Sequence, residues 1–151
     1  MKLALWFLLM IFFLPYSHAQ QIEAEDLPTT VLDEFQLLYP DARSIIWTAD
    51  DQKFRADFKN YKMTTVAVLG PDGMVYRTET EIKTIALPEL AIACLQDLCP
   101  GKDISEAVII EDQDGTITFE AEVDKKDYAF DAEGKLQKRQ ALATVASNKP
   151  D

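Results

Sequence analysis

The sequence predicts an α+β fold of two tandem repeats. Each repeat is one helix followed by a four-stranded antiparallel sheet, with the helices packed on one face. Three observations carry this expectation. One stretch occurs twice, as Leu27-Pro28 through Phe35 and Leu38 to Tyr39-Pro40, and as Leu87-Pro88 through Leu95 and Leu98 to Cys99-Pro100. After each copy the apolar spacing changes from helical to alternating. The helices recur at an offset of 60 residues, and the later strands at 61 to 65.

The first repeat spans 27–82 and the second 87–140. A unit of about 55–60 residues is marginally stable alone. The connection Lys83 to Ala86 is short and not linker-like, so both repeats are expected to share one core or one continuous sheet, as a single domain.

In chain order, residues 1–19 read as a secretory signal peptide. Lys2 is the positive n-region, Leu3 to Leu14 the apolar run, and Ser17-His18-Ala19 the small-residue cleavage site. As a helix that run reaches about 18 Å, too short for a hydrocarbon core of about 30 Å. The mature chain is expected to be Gln20 to Asp151, periplasmic or secreted, without stable membrane insertion. Residues 20–26 are polar and read as an N-terminal arm.

Pro28 suits the first helical position, where a missing N–H costs nothing. Val31, Leu32, Phe35, Leu38 and Tyr39 form one stripe, and Pro40-Asp41 ends it. Ile45 and Trp47 begin the alternation, and Asp50-Asp51 turns the chain. Phe54, Ala56 and Phe58 alternate with Arg55, Asp57 and Lys59. Asn60-Tyr61 turns. Val66 and Val68 are expected to face inward on a third strand. Gly70-Pro71-Asp72-Gly73 is a turn, and Met74 to Ile82 a fourth strand with Val75 inward.

In the second copy, Ala91, Ile92, Leu95, Leu98 and Cys99 make the stripe. Val108 and Ile110 are matched to Ile45 and Trp47. Ile117, Phe119, Ala121 and Val123 alternate with polar neighbours. Tyr128, Phe130 and Leu136 are matched to Val66, Val68 and Val75, and residues 141–151 read as a flexible tail.

Composition excludes several functions. Leader cleavage removes His18, the only histidine, and with it Ser/His and Cys/His catalysis, histidine-ligated zinc and a histidine switch. It also removes Lys2, leaving 14 basic against 26 acidic side chains, a net charge of −12. Such a surface repels nucleic acid and anionic lipid, and suits a basic partner. Cys94 and Cys99 permit a disulfide in an oxidising compartment. On an unbroken helix their Cα atoms lie about 8–9 Å apart, beyond bridging range. A bond requires the helix to end before Cys99, which Pro100 allows; otherwise both are buried free thiols.

The chain resembles the secreted PepSY-like proteins of β-lactamase-inhibitor-like type. The residues that carry this are the Leu-Pro helix ending Tyr39-Pro40-Asp41, the Trp47 strand, the strand Phe54-Arg55-Ala56-Asp57-Phe58, and the Asp72-Gly73 turn, all then repeated. The resemblance covers Asp26 to about Arg139. It implies a non-enzymatic binding module with no cofactor, which grips a protein with the open face of its sheet. The second copy departs from the pattern: its helix ends Cys99-Pro100-Gly101, and Ile110 replaces the tryptophan. No inhibitory contact residue carries over.

Other sites fail on their own chemistry. Asp112-Gln113-Asp114-Gly115 starts like a calcium loop, but Ile117 and Val123 occupy the sixth and twelfth positions, where glycine and glutamate are needed. It reads as a hairpin turn, as does Asp72-Gly73. Paired carboxylates such as Glu79 with Glu81 have no fixed cleft to act across. Ser44, Ser105 and Ser147 lack a base. Trp47 reads as core.

The outward face is the candidate site. Alternation places Ile46, Ala67, Tyr76 and Ile109 there, with Arg55, Asp57, Glu120 and Glu122. Apolar anchors flanked by charge suit a protein partner, and a homodimer equally well. The alternative is a small-molecule or envelope-component binder with a pocket between the repeats.

Overall fold

The computed structural model describes residues 20–50 and 52–137. The leader, the tail from 141, residues 138–140 and Asp51 lie outside the described residues. The elements are β1 (Gln20–Ile22), α1 (Thr29–Leu38), β2 (Arg43–Asp50), β3 (Lys53–Asn60), β4 (Met63–Leu69), β5 (Val75–Glu81), α2 (Glu89–Leu98), β6 (Ile104–Asp112), β7 (Ile117–Val123) and β8 (Lys126–Asp131).

All eight strands form one antiparallel sheet in sequence order. This overturns the expected two units of a helix plus a four-stranded sheet. β5 pairs directly with β6, from Arg77 opposite Asp112 to Glu81 opposite Val108. Two separate sheets would each leave two open edges, with unpaired N–H and C=O groups. Pairing β5 with β6 removes two of those edges. The strand count also differs from expectation. Residues 20–22, expected as an arm, form β1 on the outer edge of β2, with Gln21 opposite Thr48. After α2 only three strands follow, and Leu136 makes a single bridge to Phe130.

Both helices lie on one face. The register carries that face across the sheet without a break: Trp47 opposes Ala56, Ala56 opposes Ala67, and Ala67 opposes Thr78. Thr78 then opposes Glu111; one pleat away, Thr80 opposes Ile109, Ile109 opposes Phe119, and Phe119 opposes Phe130. Val31 and Phe35 of α1 pack on Trp47, Ala56, Phe58, Ala67 and Leu69. Phe35 meets Trp47 and Phe58 edge-on, at 4.8 and 5.0 Å between ring centres. Ala91 and Leu95 of α2 pack on Ala107, Ala121, Val123, Tyr128 and Phe130. These are two cores, not one, and Thr78 and Thr80 of β5 lie between them.

Each helix begins one residue after its proline, whose carbonyl accepts the first helical hydrogen bonds: Val31 N–H to Pro28 and Ala91 N–H to Pro88. A glycine turn holds each helix start against the sheet. Gly73 and Gly134 have φ of +83° and +85°. A Cβ there would stand 2.7 Å from the Thr30 carbonyl oxygen and 2.8 Å from the Ala91 nitrogen. Positive φ and close backbone approach both require glycine.

Candidate functional site

The face opposite the helices has no layer over it among the described residues. Side chains alternate along a strand, so the neighbours of the core residues point there. One row across it runs Ile46, Asp57, Val66, Glu79, Ile110, Thr118, Asp131. A second runs Thr48, Arg55, Val68, Arg77, Asp112. A third includes Glu81, Val108, Glu120 and Ala129.

Four aliphatic side chains, Val66, Val68, Val108 and Ile110, form the centre. Val66 and Ile110 are only 8% and 3% exposed, although no helix lies over them among the described residues.

Six of the eight expected site residues stand on this face: Ile46, Arg55, Asp57, Tyr76, Glu120 and Glu122. Ile46 is 48% exposed. Tyr76 sits at a bulge where β5 slips against β4, its ring across Gly70 and 5.3 Å from the Lys53 ammonium. Ala67 and Ile109 are corrections. Ala67 is fully buried under α1, and Ile109 lies on the helix face opposite Phe119.

The cause is loop parity. β3 and β4 are joined by two residues, Tyr61-Lys62, both at positive φ as a type I′ turn requires. That places Ala67, not Val66 or Val68, level with Ala56. The turn between β6 and β7 closes with Asp112 N–H to Thr116 O around three residues, Gly115 at φ +83°. That places Ala107 and Ile109 inward, and Val108 and Ile110 outward. The true counterpart of Trp47 is therefore Ala107, 60 residues on, and not Ile110. The missed site residues Val66, Val68, Val108 and Ile110 were legible only through the lengths of these two loops.

The charges divide across the face. On β2 and β3 stand Arg43, Lys53, Arg55 and Lys59 against Asp50 and Asp57. Arg55 holds Asp57 with two bonds, Nη2 to Oδ1 at 2.8 Å and Nε to Oδ2 at 2.9 Å. That hydrogen bond raises the guanidinium pKa against the opposing effect of burial. On β5 to β8 stand Glu79, Glu81, Glu106, Asp112, Glu120, Glu122, Asp127 and Asp131 against Arg77 alone. Arg77 Nε lies 3.3 Å from Asp112 and 3.7 Å from Glu79 as an ion pair with each, and makes no hydrogen bond to either. The Glu120 carboxyl is pushed above the usual carboxylate range, first by burial and then by Glu79; Arg77 opposes this and Asp127 adds to it.

Thr64 Oγ1 donates to Glu81 at 2.6 Å, and Ser105 Oγ donates to Glu122 at 2.7 Å. Among the described residues no cluster of acidic or sulfur side chains has the arrangement of a metal site. α2 ends at Leu98, before Cys99, yet Cys94 and Cys99 are both free thiols; the Cys99 thiol contacts the Tyr128 hydroxyl at 3.2 Å.

Two hollows open to solvent. One of about 500 Å³ lies beside α2, lined by Leu90, Cys94, Gly134 and Leu136. The other, about 430 Å³, lies at the foot of the uncovered face by Tyr76 and Asp112 to Asp114. The first belongs to the second repeat alone; the second lies where the repeats meet, with Tyr76 from the first repeat and Asp112 to Asp114 from the second. No helix among the described residues is long and apolar enough to cross a membrane.

No family model and no curated protein matches this chain. Solved structures do. A candidate periplasmic protein of Bacteroides eggerthii DSM 20697 is similar at 17% identity and TM-score 0.68, over 76% of this chain and 88% of that one. A BLIP-like protein of Bacteroides fragilis NCTC 9343 is similar at 19% identity and TM-score 0.65, over 82% and 92%. A DUF2874 family protein of Bacteroides uniformis ATCC 8492 shares 15% identity at TM-score 0.65, over 74% and 86%. At such identities the likeness concerns the fold alone, which is β-lactamase-inhibitor-like.

Proposed function

We propose that this chain is an exported, non-enzymatic binding module that docks a protein on the uncovered face of its sheet. The observation that supports this is a broad eight-stranded sheet with helices on one side only. Its free side carries an aliphatic centre, an exposed Ile46 and a Tyr76 at the margin, within a charged rim. Accessible apolar and aromatic side chains such as Ile46 and Tyr76 within a charged rim are the anatomy of a docking surface.

The leader-like residues 1–19 and the description of the Bacteroides eggerthii neighbour as periplasmic support an envelope or secreted location. The helix-to-helix offset of 60 residues supports descent from a PepSY-like tandem duplication. The fold shared with a BLIP-like protein supports a narrower reading, an inhibitor of an envelope or secreted enzyme.

Affinity capture from the envelope proteins of the source cell tests the proposal. One enriched protein, released by the double substitution Ile46→Ser/Tyr76→Ser, is the expected result. Enrichment that survives both that pair and Val68→Lys would remove the sheet face from the function.

A further inference from the structure

We infer that the partner docked on this face is cationic: a protein presenting a lysine- or arginine-rich surface to the β5–β8 half of the uncovered sheet. The inference rests on the docking reading above and adds the chemistry of the occupant.

Its ground is an imbalance between two halves of one surface. On β2 and β3 the charges are mixed, and the half-buried pair Arg55–Asp57 closes on itself. On β5 to β8 eight carboxylates face one guanidinium, so Arg77 can neutralise only its immediate neighbours, Glu79 and Asp112. Beneath them is aliphatic floor, with Ile110 nearly inaccessible. Carboxylates over a dry floor focus their field outward instead of having it screened from below. Burial is the first cause of the raised Glu120 carboxyl, and Glu79 and then Asp127 add to it.

A cationic surface relieves this repulsion on docking and is steered to it during approach. An anionic surface meets the same field as a barrier. A second copy of this chain is a poor occupant, because each exported copy carries a net charge of −12 and the two excess cations of its β2–β3 half are too few to match the seven excess carboxylates of β5 to β8.

Hexalysine serves as the defined probe, with hexaglutamate as control, titrated into the purified, isotope-labelled full chain. Backbone amide shifts should concentrate in β5 to β8. The triple substitution Glu79→Gln/Glu120→Gln/Glu122→Gln should weaken hexalysine about tenfold, and the charge-matched triple Asp33→Asn/Asp97→Asn/Asp103→Asn, on α1, α2 and the loop before β6, less than about twofold. Equal loss in both triples would overturn the inference, since net charge alone would then explain binding. So would shifts centred on the helices, no shifts at all, or shifts on dilution without peptide, which would mark self-association.

Failure of the broader proposal is distinguishable. A captured envelope protein released by Ile46→Ser/Tyr76→Ser but indifferent to the acidic triple keeps the docking face and refutes a cationic partner. One indifferent to both refutes the face.

Discussion

The two helix cores solve one packing problem with their bulk at opposite ends. Under α1 the central row reads Trp47, Ala56, Ala67; under α2 it reads Ala107, Ala121, Tyr128. The large aromatic sits on the first strand of the row in one core and on the third strand in the other. The helices follow suit: α1 buries Val31 and Phe35, α2 the smaller Ala91 and Leu95. What the halves share is the filled space beneath a ten-residue helix, not the residue at each position. Interiors are packed to near-crystalline density, so volume lost at one end of a row is recovered at the other.

The sharpest way to break this comparison is to transplant one row into the other. Trp47→Ala should destabilise by about 3–5 kcal/mol through the cavity it leaves. Ala67→Tyr alone should overpack the first core by about 1–3 kcal/mol. The double substitution should cost less than the sum by at least about 1 kcal/mol, because each change fills what the other empties. Urea unfolding of the four proteins in this cycle measures the coupling. Strict additivity would show that the two rows are not equivalent solutions.

The glycine turns come next in size. Gly73→Ala and Gly134→Ala should each cost about 1–3 kcal/mol, since the new methyl meets helix backbone at a strained φ. Gly115 shares their φ of +83° but faces open space, so Gly115→Ala should cost clearly less. Thermal midpoints of the three variants separate close approach from turn strain.

The charged face offers a smaller, pH-dependent contrast. The native state holds the Glu120 proton more tightly than the unfolded chain does. The stabilisation from that proton is therefore full below the unfolded pKa and lost as pH rises through the higher native one. Glu120→Gln should abolish that decline and raise the neutral-pH melting temperature by about 1–2 °C. Asp57→Asn, on the paired half, should lower it, by up to about 1 kcal/mol of stability, because Arg55 loses its bidentate partner.

The smallest effects belong to the hairpin tips. In the first half the Tyr61 hydroxyl donates to Asp41 at 2.7 Å; in the second Lys102 lies 3.8 Å from Asp124. Both contacts tie a two-residue turn to the loop after a helix, one through a phenol and one through opposite charges. Lys102→Met should change stability by under about 1 kcal/mol, an effect that vanishes in high salt. Tyr61→Phe should show no salt dependence.

Much of this was legible in the sequence. The proline-bounded stripes locate both helices, and Phe54, Ala56 and Phe58 set the phase of β3. β4 and β6 were not legible in the same way. Thr65-Val66-Ala67-Val68-Leu69 and Ala107-Val108-Ile109-Ile110 are apolar on both faces, so alternation has no phase there. Only loop parity decides which side each residue takes, and one residue of loop length reverses a whole strand. Read without loop parity, the pattern puts Ala67 and Ile109 on the uncovered face and Val68 and Ile110 in the core, the reverse of the observed register. β1 was missed because Gln20-Gln21-Ile22 is too short to show any period. The short connection Lys83 to Ala86 left open one core or one continuous sheet; β5 did not decide between them, because Thr78 and Thr80 alternating with Glu79 and Glu81 suit an exposed edge as well as a central strand.

Those two threonines stand at a boundary. The aliphatic and aromatic mass lies under α1 and under α2, and the strip between carries Thr78 and Thr80. The molecule is thus two separately packed cores joined by the continuous backbone ladder of β5 and β6. The side chains that divide the two cores are therefore the small polar pair of β5, set level with Glu111 and Ile109 of β6.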